Sequence, residues 1–587
     1  MAETQRSRQA NRKRLKEENR PRWQTTAAWV SLVCAVVVLF GLWPLAGLDL
    51  WMHLTLGRWI WAHGGVPSTD PFSYITEGQP FIAHSWLAEV VFYLAEQTAG
   101  TVGLMLLRFG LIIVALTAAL KTARLLKVPW PVVMLLAPIV LGLMWGRLEF
   151  RPQLFTSVLL AVELWLIVSV HTGERPWRWL WALPPLYAVW INLHAGWAVG
   201  MVMLGAITGA LVVMEMRRRW LGRGATSHLQ LWSLALVLVG CLLALCLNPY
   251  GIRLLYFPAE MQAGWVRALT PEWQYPWWSA GWRLVGGGAF VDMRPLFFGY
   301  AVLLAGVLYV TSRRWRTVDL VPLCLMAFWL ALSLWHLRAV SDTVLLTAPL
   351  VAASLPSEWR VRQWPILVGS GLMLGLTAMG LWSALVVWNA PREGGFRWSR
   401  SEPTCVVASI ERLGLSGRIF TTRADVLLWR FHPSVRVDYT WEYIAGPERT
   451  AERLAAWKGG AAGLHDYFER HQVDVIVLDT SIGRVVPGLV THGWRLIHLD
   501  DRYFTMVRQT SAQGMSIYRL ITPWENAPVD RANATQVLAE ADRVLQSCPA
   551  NATFAWSYKA KALRALGRYQ EALDAAVKIP PEQLVFR

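Results

Sequence analysis

Runs of about twenty apolar residues recur through the first 390 positions of this 587-residue chain, and each is long enough to cross a hydrocarbon layer roughly 30 Å thick as a helix. About eleven spans are expected on this basis, over 27–47, 102–120, 129–146, 153–171, 178–193, 196–214, 229–247, 295–311, 318–336, 342–356 and 364–388. With 55% of residues hydrophobic and only 16% charged, too little polar surface remains to coat several soluble domains. The 36 tryptophans fit either indole rings at headgroup level or a GC-rich coding bias.

The formal net charge is +17, but the basic residues sit in short segments beside the apolar runs. That distribution is topological and excludes a nucleic-acid partner. The basic tail 1–26, Lys121/Arg124/Lys127, Arg175/Arg178, 217–223, 313–316 and 358–362 all fall on one side of the expected spans. Lysine and arginine accumulate on the cytoplasmic side, so the N-terminus is expected inside and the chain after residue 390 outside. The first run follows the basic tail without a small-residue cleavage site, in the manner of an uncleaved signal-anchor. Four cysteines (Cys34, Cys241, Cys246, Cys324) lie in apolar runs, leaving Cys405 and Cys548 as the two that could pair.

On this topology the polar clusters concentrate on the outer face: Asp49, His53, Asp70, His84 and Glu89 in the first loop (48–101), GRLEFRP at 146–152, NLHAG at 192–196, NPYG at 248–251 and HLRAVSD at 336–342. Mere helix connectors have no reason to gather these residue types at one face. Asp49 and His53 are spaced i, i+4 and share a helix face over 49–63, which suits a base and its partner; a plain N-cap role for Asp49 fits equally. Asp70 before a proline suits a turn as well as an acid–base role, and His84 and Glu89 are candidates for acid–base or metal binding. Arg147, Arg151, His336 and Arg338 suit phosphate binding or plain snorkelling and pairing. Asn192, His194, Asn248 and Glu272 are further outer-face candidates. The segment 263–284 reads as lying flat in the outer interface, its aromatic residues serving as anchors or as sugar-stacking faces.

The run DLWMHLTLGRWIWAHGGVPSTDPFSY followed by HSWLAEVVFY, then RPQLFT, NLHAGW, LNPYG, PEWQYP and HLRAV, resembles a group of bacterial multi-pass membrane proteins with a DxWxH-type first outer loop. The layout, with a long first outer loop that opens on an acidic residue and carries two amphipathic helices, also resembles the GT-C superfamily of polytopic glycosyltransferases. That resemblance implies a polyprenyl-phosphate sugar donor, a base or metal-binding carboxylate at Asp49, and a divalent ion such as Mg or Mn as a possible cofactor. Leu50 follows Asp49 where the commoner pattern places a second acidic residue.

After the last expected span, 391–525 alternates strands with helices, notably RIFTT, VRVDYT, VDVIVLD and RYFTMVR, and reads as a small α/β domain. VDVIVLD has the continuous apolar character of a buried central strand. No glycine-rich loop follows these strands, which argues against a nucleotide site. Residues 526–587 resemble a tetratricopeptide (TPR) repeat, with Leu566, Gly567, Tyr569 and Ala572 at the expected places. The expectation is therefore an α-helical polytopic membrane protein, GT-C-like with about eleven transmembrane helices, an extracytoplasmic α/β domain and a short TPR-like tail. Its expected activity is sugar transfer from a membrane lipid-linked donor to an acceptor glycan or protein. The alternative is a non-catalytic scaffold for envelope polysaccharide or secretion machinery that binds a protein partner through the tail. A transporter is disfavoured, since no intramembrane charge relay stands out.

Overall fold

The computed structural model describes residues 49–129, 150–220, 228–261, 283–286, 289–292, 294–313, 319–354, 404–438, 442–525, 527–549 and 552–579, with a few single positions between them. Outside these fall the tail 1–26, the spans 27–47 and 364–388, most of 129–146, Arg147, the loop 358–362, and nearly all of 263–284 including Glu272.

The expected spans appear as α2 (Trp86–Leu125), α3 (Gln153–His171), α5 (Trp197–Trp220), α6 (His228–Ala244), α8 (Arg294–Ser312), α9 (Leu320–Trp335) and α10 (Val340–Ser354), with the short α7 (Arg253–Glu260) between α6 and α8. Among the described residues, α2, α3, α5 and the stretch Leu337–Ser354 are long and apolar enough to cross a membrane; three further apolar helices are shorter. The chain is a multi-pass membrane protein. Exposed Trp220, Trp232 and Trp335 lie at or near the ends of α5, α6 and α9, as headgroup-level indoles do, whereas Trp190 and Trp329 are buried in the bundle.

Three expectations need correction. The stretch 178–193 becomes a 3₁₀ turn (Trp177–Ala182) followed by α4 (Leu183–Leu193). Pro184 and Pro185 fit the first turn of a helix but not its interior, so the helix starts there and its 11 residues are too short to cross. The second amphipathic helix expected in the first loop, around HSWLAEVVFY, and the span at 102–120 form one 40-residue element broken at Ala99 and Gly100. Gly100 has φ +56°, a conformation that glycine adopts without a Cβ clash. Arg108 of α2 and Glu163 of α3 are buried inside the spans, where Glu163 accepts a 2.9 Å hydrogen bond from the Tyr187 hydroxyl.

The third correction concerns α1 (Leu50–His63), which is not the amphipathic helix expected at the start of the first loop. Nine of its residues are buried around nearly the whole circumference, and it stops at Gly64 in the left-handed conformation. Leu50, Trp51 and Leu54 join the membrane-domain core, while Met52, Leu56 and Ile60 join a second core supplied by the outer domain.

That outer domain comprises α11 (Thr404–Leu413), β3 (Gly417–Thr421), α12 (Ala424–Phe431), β4 (Val435–Val437), α13 (Glu442–Lys458), α14 (Gly460–Arg470), β5 (Val475–Asp479), α15 (Val486–Thr491), β6 (Trp494–Leu499) and β7 (Tyr503–Arg508). A separate antiparallel pair, β1 (Arg283–Gly286) and β2 (Ala289–Asp292), precedes α8. The five-stranded sheet has the order β4-β3-β5-β7-β6, parallel among β4, β3 and β5 and antiparallel at β7 and β6. β5, the VDVIVLD segment, is its buried centre.

The sheet is stitched to the first outer loop. Val437 donates its N–H to Phe72 O (3.2 Å) and Tyr74 donates to Val437 O (3.0 Å), so 72–74 extends the β4 edge. α12 packs on α1, with Trp429 against Trp51 and under the Arg58 guanidinium, which also donates to Leu428 O. Beyond the sheet, α16 (Ala534–Ser547), α17 (Thr553–Ala565) and α18 (Tyr569–Val577) form a helical tail. α16 and α17 share a core with the sheet, the buried Glu540 carboxylate accepts backbone N–H groups from 519–521, and a Cys405–Cys548 disulfide joins α11 to the end of α16.

Candidate active site at the outer loops

The polar loop ends meet at one end of the bundle. Trp86 Nε1 donates to Asn192 Oδ1 (2.7 Å), and Asn192 Nδ2 donates to Ala188 O and Leu247 O (2.8 Å each). Tyr250 receives Ala83 N–H and donates to Pro67 O. Asn192 thus has its amide filled by structural bonds across three segments. Asn248 is likewise occupied within its own turn, by Leu245 O, Gly251 O and Tyr250 N–H. Tyr250, the tyrosine of NPYG, is a tie to the first loop that the sequence reading did not single out.

Asp49 occupies the position before α1, but its dihedrals are already helical and its side chain makes no capping bond. Its Oδ2 lies 3.2 Å from Arg151 Nε, and 44% of the carboxylate side chain is exposed. His53 Nδ1 instead meets Glu89 Oε1 at 3.1 Å, an oxygen that also accepts the Ser85 hydroxyl (2.9 Å). The expected Asp49–His53 side-chain couple is therefore split between two partners, Arg151 at the start of α3 and Glu89 on α2. The close approach of α1 to α2 depends on Gly57, where a Cβ would lie 2.1 Å from Glu89 O.

His84 stacks on Phe257 (4.4 Å between centroids) and lies 6.2 Å from the His194 ring. Burial, with the nearby charges of His53 and Arg338, lowers its pKa to about 3, so it is neutral at ordinary pH. Arg338 donates to the Gln153 Oε1 oxygen. His194 Nδ1 accepts Gly196 N–H (3.0 Å) and pairs with Thr156 Oγ1 (2.9 Å), and Thr156 also accepts Trp190 Nε1–H (3.0 Å). A backbone N–H can only donate, so His194 carries its proton on Nε2. His336 ends α9, with its ring stacked on Trp335. Thus Asp49, His53, His84, Glu89, Arg151, His194 and Arg338 come to one region from five separated segments. Gln153 and Thr156, which complete it, were not singled out in the sequence; their place in the first turn of α3, straight after Arg151, was the available signal.

Asp70 is elsewhere employed. Oδ1 accepts Phe72 N–H (2.9 Å) and Oδ2 accepts the Thr76 hydroxyl (2.5 Å), the turn role available to it from sequence. The expected Mg or Mn ligands are not gathered either. Among the described residues, the one group of three or more ligating side chains within mutual reach is Cys405, Asp500 and Cys548, and its two sulfurs are joined to each other. The residues present do not make a divalent-ion site of Asp49, Asp70, His84 and Glu89.

No protein-family model and no curated protein sequence matches the chain. Among solved structures, the chain is similar to the archaeal oligosaccharyltransferase AglB from Archaeoglobus fulgidus in complex with an inhibitory peptide and a dolichol-phosphate. The TM-score is 0.50 at 11% identity, over 93% of this chain and 86% of that one. ArnT from Cupriavidus metallidurans bound to undecaprenyl phosphate aligns over 81% of this chain and 97% of its own, with a TM-score of 0.42 and 13% identity. The chain shares the overall fold of that archaeal oligosaccharyltransferase.

Proposed function

We propose that the chain is a membrane glycosyltransferase that moves a sugar from a polyprenyl-phosphate donor to a hydroxyl acceptor, glycan or protein, at the extracytoplasmic face of a bacterial cytoplasmic membrane. The observation that carries this reading is the Asp49–Arg151 pair at 3.2 Å, its carboxylate partly open to solvent and its guanidinium largely buried, on a fold similar to an oligosaccharyltransferase solved with a dolichol-phosphate. Asp49 accepts the proton of the acceptor hydroxyl as its oxygen attacks the anomeric carbon. The bond from that carbon to the donor phosphate breaks, and its electron pair leaves with the phosphate. Arg151 and Arg338 stabilise the negative charge that develops there. In the resting enzyme Arg151 is held by Asp49; an incoming phosphate competes for the guanidinium and releases the carboxylate for its role as base. His53, fixed by Glu89, is a positioning residue on the same helix.

Orientation has its own support. The outer domain contacts α1 and the first loop, so it stands on the same side of the membrane as Asp49, and its Cys405–Cys548 disulfide belongs in an oxidising compartment.

The test is transfer from radiolabelled polyprenyl-phosphate sugars by the purified protein. Asp49→Asn is expected to lower the rate by about 10²-fold or more in a protein that still folds, since the amide oxygen can still accept a hydrogen bond from Arg151. Full activity in that variant overturns the assignment.

A further inference from the structure

The outer domain has a cleft that shares no residue with the cluster around Asp49. Its volume is about 450 Å³, within the range of small-ligand sites, and it opens at the carboxyl end of β5, where open α/β sheets place their ligands. The neighbouring crevice at the end of β3 is already filled by its own charges. There Arg423 holds Asp425 through two hydrogen bonds and also donates to the Tyr503 hydroxyl, while Arg453 bonds buried Asp438. The β5 cleft differs in being unpaired. Arg484 and Arg502 line it from opposite loops, both are exposed, and neither guanidinium has a hydrogen-bond or ion-pair partner among the described residues.

The walls are fixed in place. Thr480 ties the loop after β5 to the β6–β7 turn, through its N–H to Arg502 O and its hydroxyl to Asp501 O. Asp501 in turn accepts from Thr553 and Phe554 at the start of α17. The Trp524 ring lies against Gly483, where a Cβ would sit 2.1 Å from the indole, and edge-on to Phe504. The indole thereby occupies the space over the glycine that a nucleotide phosphate would need, so Gly483 serves packing.

We infer that this cleft binds an acidic saccharide. Two unpaired arginines call for a carboxylate or phosphate. Asp479 uses Oδ1 to accept Ser481 N–H, and Oδ2 is left to accept from ligand hydroxyls, which a bare anion lacks. Pro523 and Trp524 supply an apolar wall for the sugar ring. The inference is independent of sugar transfer at Asp49.

Calorimetry on the full chain in a detergent without a sugar headgroup tests it, using a uronate disaccharide, a hexose phosphate, a neutral disaccharide, inorganic phosphate and triglutamate. Binding of either acidic sugar, at least about tenfold tighter than the neutral one and weakened about tenfold by Arg484→Gln or Arg502→Gln at an unchanged thermal midpoint, supports the site. The better of the two acidic sugars names the anion. The proposal is overturned if neither acidic sugar binds, if the neutral sugar, phosphate or triglutamate binds as tightly, or if both arginine variants bind like the wild type. Asp49→Asn should bind as the wild type does, which separates this result from the fate of the transferase reading.

Discussion

At the residue scale, the site depends on which partner each side chain reaches. Asp49 and His53 were legible as chemistry because carboxylate and imidazole are unusual at the exit of an apolar run. Their partners were not legible, since Arg151 and Glu89 are 102 and 36 positions away and only the fold chooses among the available arginines and acids. His84 supplies a pH test. Its folded pKa of about 3 is below the ordinary histidine value, so the unfolded chain takes up this proton first as pH falls. The stability it contributes is complete above about pH 6.5 and is lost as pH falls toward 3. Thermal midpoints at pH 7.5 and 4.5 should differ less in His84→Gln than in the wild type; an identical difference in both would show that this imidazole is not buried neutral.

At the scale of elements, hydrophobic runs located the helix cores because lipid burial is a local demand on composition, and α3 begins and ends within the stretch expected for it. α1 misled because its apolar residues cover all sides; a helix between two protein surfaces has the same composition as one buried in lipid or in a bundle. The α1–α2 contact can be tested at Gly57. Gly57→Ala would place a methyl against the backbone of Glu89, which must separate the helices at a cost of about 1–3 kcal/mol. Gly110→Ala on α2, where nothing lies within 4 Å, is the control and should leave the thermal midpoint unchanged or slightly raised.

For the whole molecule, the outer domain and the membrane bundle are coupled through α1 and the first loop. Trp429 is the central contact, touching Trp51, Tyr93 and Arg58. Trp429→Ala is expected to weaken docking by about 2–3 kcal/mol, read as faster proteolytic release of the outer domain; unchanged protection would mean the edge pairing at 72–74 suffices by itself. The disulfide closes a separation of 143 residues, so in the chain-entropy account its removal in Cys405→Ser costs up to about 5 kcal/mol. A midpoint insensitive to reductant would show that the shared core of sheet and tail holds without it.

Composition and local pattern determined that the chain is a membrane protein, where most of its described spans lie, that β5 is central, and which two cysteines were available to pair. Each of these follows from burial or geometry within a short stretch of chain. Tertiary structure alone decided that the loops at 49, 84, 151, 194 and 338 share one region, that Asp49 pairs with Arg151 and His53 with Glu89, and that a distant domain covers one side of α1. Those outcomes are choices among many chemically equivalent partners, and only packing in three dimensions makes them.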